Sequence, residues 1–76
     1  MIVDGARIRR LRMDSGLTLT VVADEVGISP SYLSMIERGL RLVVSRPVVV
    51  GIAGVLDVEV HRLQPGLRLR PRSGVQ

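Results

Sequence analysis

The sequence predicts a compact all-α domain of five helices. Two observations favour this fold class: residues typical of helix ends recur along the chain, and between them apolar side chains repeat every three or four residues. With 76 residues the chain has the size of one domain. We expect that domain to occupy residues 1–64 and a basic C-terminal tail to occupy residues 65–76.

The first helix is predicted from Asp4 to Met13. Ile8 and Leu11 lie three residues apart and face inward, and Gly16 ends the helix. The outer face carries three cations, Arg7, Arg9 and Arg10.

The second and third helices are short and well delimited. Thr18 caps a helix that runs to Val26 and ends at Gly27. Ser29 caps the next helix, over residues 30–38, with Pro30 at its first position. Two helices joined by a tight turn that contains glycine form the helix-turn-helix pattern.

The fourth and fifth helices are less clearly marked. After a loop over residues 40–44, Ser45 caps a helix over residues 46–56. Its inward stripe is Val49, Ile52, Ala53 and Leu56. Its valines and glycines are poor helix formers, so on propensity alone residues 42–50 also suit a strand. A short fifth helix is expected over residues 58–64, with Val60 and Leu63 closing the core.

Four segments in order carry a resemblance to a known family. They are Gly5-Ala-Arg-Ile-Arg-Arg-Leu-Arg, Gly16-Leu-Thr, Val22-Ala-Asp-Glu-Val-Gly-Ile-Ser and Tyr32-Leu-Ser-Met-Ile-Glu-Arg-Gly. From about Gly5 to Leu63 the chain resembles the phage-repressor and Cro-like family of DNA-binding domains, also called the xenobiotic-response-element family. The resemblance implies a repressor-like fold with the helix-turn-helix at helices 2 and 3, and it favours helix over strand for residues 46–56.

The resemblance also implies roles for single residues. The base-facing positions of helix 3 are Pro30, Ser31, Ser34 and Met35. Arg38, Arg41 and Arg46 fall on phosphate-facing positions, and Arg12 falls where the family has an arginine paired with a glutamate, here Glu37. Leu19 stands where relatives often have a glutamine that braces the DNA contact.

Three further phosphate candidates follow from the helix-turn-helix itself. The N-terminus of helix 2 exposes free N–H groups, to which Thr18 and Thr20 add hydroxyl donors. The ring of Tyr32 either packs against helix 2 or places its hydroxyl on a phosphate.

The charge and the aromatic content of the chain limit the class of molecule that it can bind. Eleven arginines against seven acids give a net charge of +4 and a pI near 11.4, which suits a phosphate backbone but also an anionic membrane surface or an acidic protein. Tyr32 is the single aromatic residue, whereas proteins that bind single strands stack bases on several rings. Double-stranded DNA is therefore the expected partner.

The sequence lacks the residue patterns that metal-binding proteins, enzymes and membrane proteins require. The sequence has no cysteine, and His61 has no second histidine or carboxylate cluster at ligand spacing, so neither a metal site nor a cofactor is expected. Paired carboxylates, a nucleophile with its base and a glycine-rich phosphate loop are missing, so we expect no enzyme. No apolar run approaches the roughly 20 residues of a membrane span, and the N-terminus is charged where a signal peptide is apolar. We expect a cytoplasmic protein without membrane contact.

The valines that remain outside the predicted core suggest self-association. They are Val43, Val44, Val48, Val50 and Val55. A helix-turn-helix dimer places two readers about one turn of DNA apart, so we nominate these valines for a two-fold contact. The alternating leucines and arginines after Gly66 suit either a basic arm along DNA or a strand paired across a dimer.

These observations lead to one functional expectation and one alternative. We expect a sequence-specific transcriptional regulator that binds a near-palindromic operator as a homodimer, as a Cro-like repressor or a small controller protein does. The alternative is a protein-interaction module, such as an antitoxin-like protein whose valines cover a partner.

Overall fold

The computed structural model describes residues 1–66, which form four α-helices and one 3-10 turn. The α-helices are α1 (Gly5–Asp14), α2 (Leu19–Val26), α3 (Pro30–Glu37) and α4 (Arg46–Leu56), and the 3-10 turn is Val60–Leu63. The predicted bounds of the α-helices agree with these to within one residue at each end. The all-α class is confirmed, but the count of five helices is not: the described residues form four α-helices, and the expected fifth is a short 3-10 turn.

The fifth helix is a single 3-10 turn because the chain leaves helical geometry on both sides of it. Asp57 ends α4 in the left-handed conformation (φ 58°), and Glu59 and Gln64 are extended. Gln64 precedes Pro65, and a residue before proline is biased away from the helical region. Leu63 is fully buried as expected, whereas Val60 is only half-buried.

Side-chain caps fix where the first three helices begin. The side-chain oxygens of Asp4, Thr18 and Ser29 accept hydrogen bonds from the backbone N–H groups of Arg7, Val21 and Tyr32 at 3.1, 3.2 and 3.0 Å. Ser45 occupies the N-cap position of α4 as predicted, but its side chain makes no capping hydrogen bond. Pro47 lies in the first turn of α4, where its fixed φ already suits the helix.

The turn between α2 and α3 orients the two helices. Gly27 adopts a left-handed conformation (φ 86°), which is strained for residues that carry a Cβ. The N–H of the next residue, Ile28, donates to the carbonyl of Ala23 at 3.0 Å. This bond closes the end of α2 and turns the chain directly into the cap of α3.

The core lies where α2 packs against α3 and α4, while α1 packs against α3 and the 3-10 turn. The predicted stripe of α4 is buried throughout, at Val49, Ile52, Ala53 and Leu56. Gly51 lies so close to α2 that an added Cβ would be 3.2 Å from Val26 Cγ1. A glycine that is poor for the helix by itself therefore serves the packing of α4 on α2.

The N-terminal segment pairs with the loop before α4. Ile2 and Val43 form an isolated antiparallel bridge, and the N–H of Val3 donates to the carbonyl of Leu42 at 3.0 Å. This pairing buries Val3 and Val44, which are 2% and 1% exposed. Val44 is a core residue, so its nomination for a dimer contact is wrong.

The predicted basic tail begins at Pro65 and Gly66. From residue 67 onward it lies outside the described residues, so its two interpretations remain predictions. Among residues 1–66, no helix is both long enough and apolar enough to span a membrane.

Candidate nucleic-acid interface

The outer face of α3 is open to water. Leu33 and Ile36 turn inward and are fully buried, as helical spacing requires. On the other side Pro30 and Ser31 are exposed, while Ser34 and Met35 are half-buried. Nothing in the described part of the chain covers this face, so a partner can reach all four predicted base-facing residues.

These four residues line one shallow groove, the reading groove, together with Leu19 and Arg38. Its polar groups are the hydroxyls of Ser31 and Ser34, which can donate or accept a hydrogen bond. Pro30 and Met35 offer apolar contact, and exposed Arg38 supplies a cation at the C-terminal end of α3.

Leu19 forms part of the reading groove although sequence reasoning gave it no role. In the sequence it is notable only because it replaces the glutamine common in the resembled family. The structure places its half-buried side chain beside Ser34 and Arg38. The reading groove therefore has an apolar side chain at the position where the resembled family often has a glutamine.

Arg12 ties α1 to the end of α3. Its Nε donates to Glu37 Oε2 at 2.7 Å and its Nη2 to Oε1 at 3.0 Å, while Nη1 donates to the carbonyl of Leu17 at 2.9 Å. Glu37 is the only charged residue of the described chain that is buried, at 6% exposed. The hydrogen bond to Glu37 raises the pKa of Arg12, although partial burial of the guanidinium opposes this shift.

A close backbone contact reinforces this arrangement. Gly5 is buried at the start of α1, where an added Cβ would collide with the carbonyl oxygen of Ile36 and lie 2.9 Å from that of Glu37. The end of α3 therefore rests directly on the first turn of α1. The sequence did not predict this contact, because Gly5 and Ile36 are far apart along the chain.

The predicted phosphate-facing residues other than Arg38 lie outside the reading groove. Thr18 and Thr20 are exposed at the start of α2, and the Thr18 hydroxyl oxygen already accepts the capping bond from Val21. The guanidinium carbon of Arg41 lies 5.8 Å from the centre of the half-buried Tyr32 ring. Arg46 is exposed at the first position of α4.

The nominated dimer valines divide by exposure. Val43 and Val50 are 69% and 47% exposed, whereas Val48 and Val55 are half-buried. Two unpredicted apolar residues adjoin Val43, namely Ile2 (56% exposed) across the bridge and Leu42 (58% exposed) beside it along the chain. We call Ile2, Leu42 and Val43 the apolar bridge.

No metal site is formed by residues 1–66, where no three His, Asp or Glu side chains cluster at ligand distance. His61 lies 3.2 Å from the carboxylate of Glu59, and both side chains are exposed. This contact is an ordinary surface pair.

Comparison with known proteins agrees with this geometry. A family model described as a helix-turn-helix domain matches residues 5–65. The HTH-type transcriptional regulator SinR of Bacillus subtilis (strain 168) is 41% identical over 59 residues, which make up 78% of this chain and 53% of SinR. The chain thus spans about half the length of that relative.

The fold is also similar to solved structures of DNA-binding regulators. The crystal structure of SinR, the master regulator for biofilm formation, in complex with DNA matches with a TM-score of 0.71 and 40% identity, over 75% of this chain and 90% of that chain. SinR in the SinR–SinI complex matches with a TM-score of 0.71 and 41% identity, over 80% and 57%. The restriction-modification controller protein C.AhdI from Aeromonas hydrophila matches with a TM-score of 0.71 and 36% identity, over 76% and 86%.

The matched residues contain α1 to α4 and the reading groove. The relatives are transcriptional regulators and not enzymes. The chain therefore belongs to the helix-turn-helix domain family, as a DNA-binding domain of the Cro and phage-repressor type.

Proposed function

We propose that this chain is a sequence-specific regulator of transcription that places α3 in the major groove of double-stranded DNA. The observation that carries the proposal is the reading groove, in which four predicted base-facing residues meet on an open face beside Arg38. The major groove admits an α-helix and presents a different pattern of donors, acceptors and methyl groups for each base pair. SinR, solved in complex with DNA, supports the proposal as a relative of the same fold.

Direct readout through the reading groove is modest. Ser31 and Ser34 can contact several bases, and Pro30 and Met35 suit a thymine methyl group. The groove holds no Asn or Gln, and its single Arg lies at the end of α3 away from the N-terminal turn. Much of the affinity therefore comes from phosphate contacts and from the shape of the duplex.

The phosphate contacts follow the edges of α3. Arg38 lies at its C-terminal end, and the start of α2 adds free N–H groups beside Thr18 and Thr20. Tyr32 and Arg41 are neighbours and form one contact point, and Arg46 forms another at the start of α4. These groups position the protein without reading sequence themselves.

The chain binds as a homodimer on a near-palindromic operator. One α3 reads too few base pairs for specificity, and two-fold dimers of this motif span half-sites about 10 base pairs apart. Exposed Val43 and Val50, with half-buried Val48 and Val55, support a contact between copies. Relatives of this fold include a transcriptional regulator and a controller protein, which supports a small repressor or controller that acts in the cytoplasm.

A protein partner is the second candidate. Exposed apolar side chains at Ile2, Leu42 and Val43 favour it, because contiguous apolar surface marks interaction sites. SinR has been solved in a complex with the protein SinI, so a relative of this fold has a protein partner.

Selection of bound duplexes from a random pool, followed by footprinting, tests the proposal. We expect enrichment of a repeated half-site with a spacing of about 10 base pairs. Failure to bind any duplex at low salt, together with co-purification of a different chain, would favour the interaction module instead.

A further inference from the structure

A second groove lies between α1 and α3, and we call it the arginine groove. Its lining includes Arg9, Arg10 and Met13 of α1, and Leu19, Ser34 and Arg38. The last three also line the reading groove. The two grooves therefore form one continuous surface that runs from the outer face of α3 onto α1.

The arginine groove has an excess of positive charge. Four arginines and two acids line it, and one of the acids, Glu37, is already bonded to Arg12. Arg9 and Arg10 are exposed, and within residues 1–66 neither forms an ion pair. Their charge is opposed only by Asp14 within this groove.

We propose that Arg9 and Arg10 bind backbone phosphates of the duplex whose bases meet α3. The inference rests on the proposed function. A major groove about 12 Å wide is bordered by a phosphate strand on each side, so a helix seated in it brings a strand over the surface beside the helix. On one side of α3 that surface is the arginine groove.

The structure also fixes the helix that carries these two arginines. Arg12 bonds to Glu37, and the first turn of α1 rests on the last turn of α3, so α1 is packed in a defined position against α3. Phosphate contacts from α1 therefore fix the depth and angle at which α3 enters the groove.

Arg7 provides a matched control. It belongs to the same helix, but it lines a different concavity, with Ile2 and His61. Removing its charge changes the net charge of the protein by the same amount as removing that of Arg9. A difference between the two variants therefore reports position and not total charge.

The test measures affinity for a duplex from the selected pool against salt concentration, for the full chain and for Arg9→Gln, Arg10→Gln and Arg7→Gln. Each phosphate contact contributes about 0.9 to the slope of log K against log salt. We expect the slope to fall by about 0.9 in each of the first two variants and to stay unchanged in Arg7→Gln. The loss should be the same on a scrambled duplex, and Arg9→Lys should recover the slope.

Three outcomes overturn the inference. Unchanged slopes in Arg9→Gln and Arg10→Gln, in a protein that binds the duplex, would overturn this inference alone. Equal losses in Arg9→Gln and Arg7→Gln would attribute the effect to net charge. Failure of the unaltered chain to bind any duplex would overturn both this inference and the proposed function.

Discussion

Arg12 and Glu37 meet through two parallel hydrogen bonds, 2.7 and 3.0 Å long, that join α1 to the last residue of α3. Their side chains are 12% and 3% exposed. Removing one partner of a buried pair leaves the other charge without compensation, which costs far more than losing a surface pair. The pair holds the C-terminal end of α3, next to Arg38. It therefore links the stability of the domain to the position of the reading groove.

Arg12→Ala should lower the free energy of unfolding by about 3–5 kcal/mol, because Glu37 would remain buried without a partner. Chemical denaturation measures this loss. The double variant Arg12→Met with Glu37→Met should recover most of it, because apolar side chains of similar size can replace a buried pair. Arg10→Ala, at an exposed position of the same helix, should change stability by less than about 0.5 kcal/mol. A similar small effect at Arg12 would contradict the assigned role of the pair.

Gly5→Ala should destabilise the domain by about 1–3 kcal/mol, since its Cβ would collide with the carbonyl oxygen of Ile36 and force α1 away from α3. Gly54→Ala is the matched control. Gly54 lies inside α4, and an added Cβ would meet no atom within 4 Å apart from the adjacent backbone of its own helix. The substitution should therefore stabilise the domain by roughly 0.5–1 kcal/mol. Thermal unfolding of the two variants should give midpoints shifted in opposite directions. A raised midpoint for Gly5→Ala would show that the close contact is absent.

Ser29→Ala should cost about 1 kcal/mol, because the Ser29 hydroxyl caps α3 through the N–H of Tyr32 at 3.0 Å. Ser45 precedes α4 in the same way but makes no side-chain capping bond. Ser45→Ala should therefore change stability by only a few tenths of a kcal/mol. Urea unfolding compares the two, and equal losses would mean that Ser45 caps α4 after all.

The sequence predicted the helices well because their ends are marked locally. Thr18, Gly27 and Ser29 bound the helix-turn-helix, and each acts through atoms only a few residues away. Residues 46–56 are different, since valine and glycine disfavour a helix there. The resemblance favoured a helix, and this prediction is confirmed. The burial of Val49 and Ile52 in the core outweighs the weak helix propensity of this segment.

Contacts between distant segments were not predictable from local pattern. The bridge between Ile2 and Val43, which buries Val44, has no periodic signal in the sequence. The approach of Gly5 to Ile36 depends likewise on how two helices meet. The open face of α3 was predictable from the helical spacing of its apolar residues. The participation of Leu19 in the reading groove was not, because it depends on how α2 packs against α3.

Arg38→Ala and Ser31→Ala should separate affinity from specificity. Arg38 is an exposed cation at the end of α3, so its loss should weaken binding to selected and scrambled duplexes alike and lower the salt slope by about 0.9. Ser31 lies on the base-facing side, so its loss should change which sequences are enriched in a repeated selection. Equal loss on every duplex from both variants would undo these assignments.

Val43→Asp should weaken self-association at least roughly tenfold, because the new carboxylate would have to be buried in the contact between copies that we propose for Val43. Val43 is 69% exposed in the single chain, so the substitution should leave the fold intact. Val21→Asp is the control, since Val21 is also exposed, at 45%, and a carboxylate in the first turn of α2 is favourable to the helix dipole.

Sedimentation velocity without DNA, over a range of protein concentrations, measures the effect of these two variants. We expect the unaltered chain and Val21→Asp to show the same transition from monomer to dimer, and Val43→Asp to remain monomeric to higher concentration. A dimer unaffected by Val43→Asp would move the proposed interface away from Val43, with exposed Val50 on α4 as the next position to test. An unaltered chain that stays monomeric at every concentration, alone and on its operator, would contradict the homodimer itself.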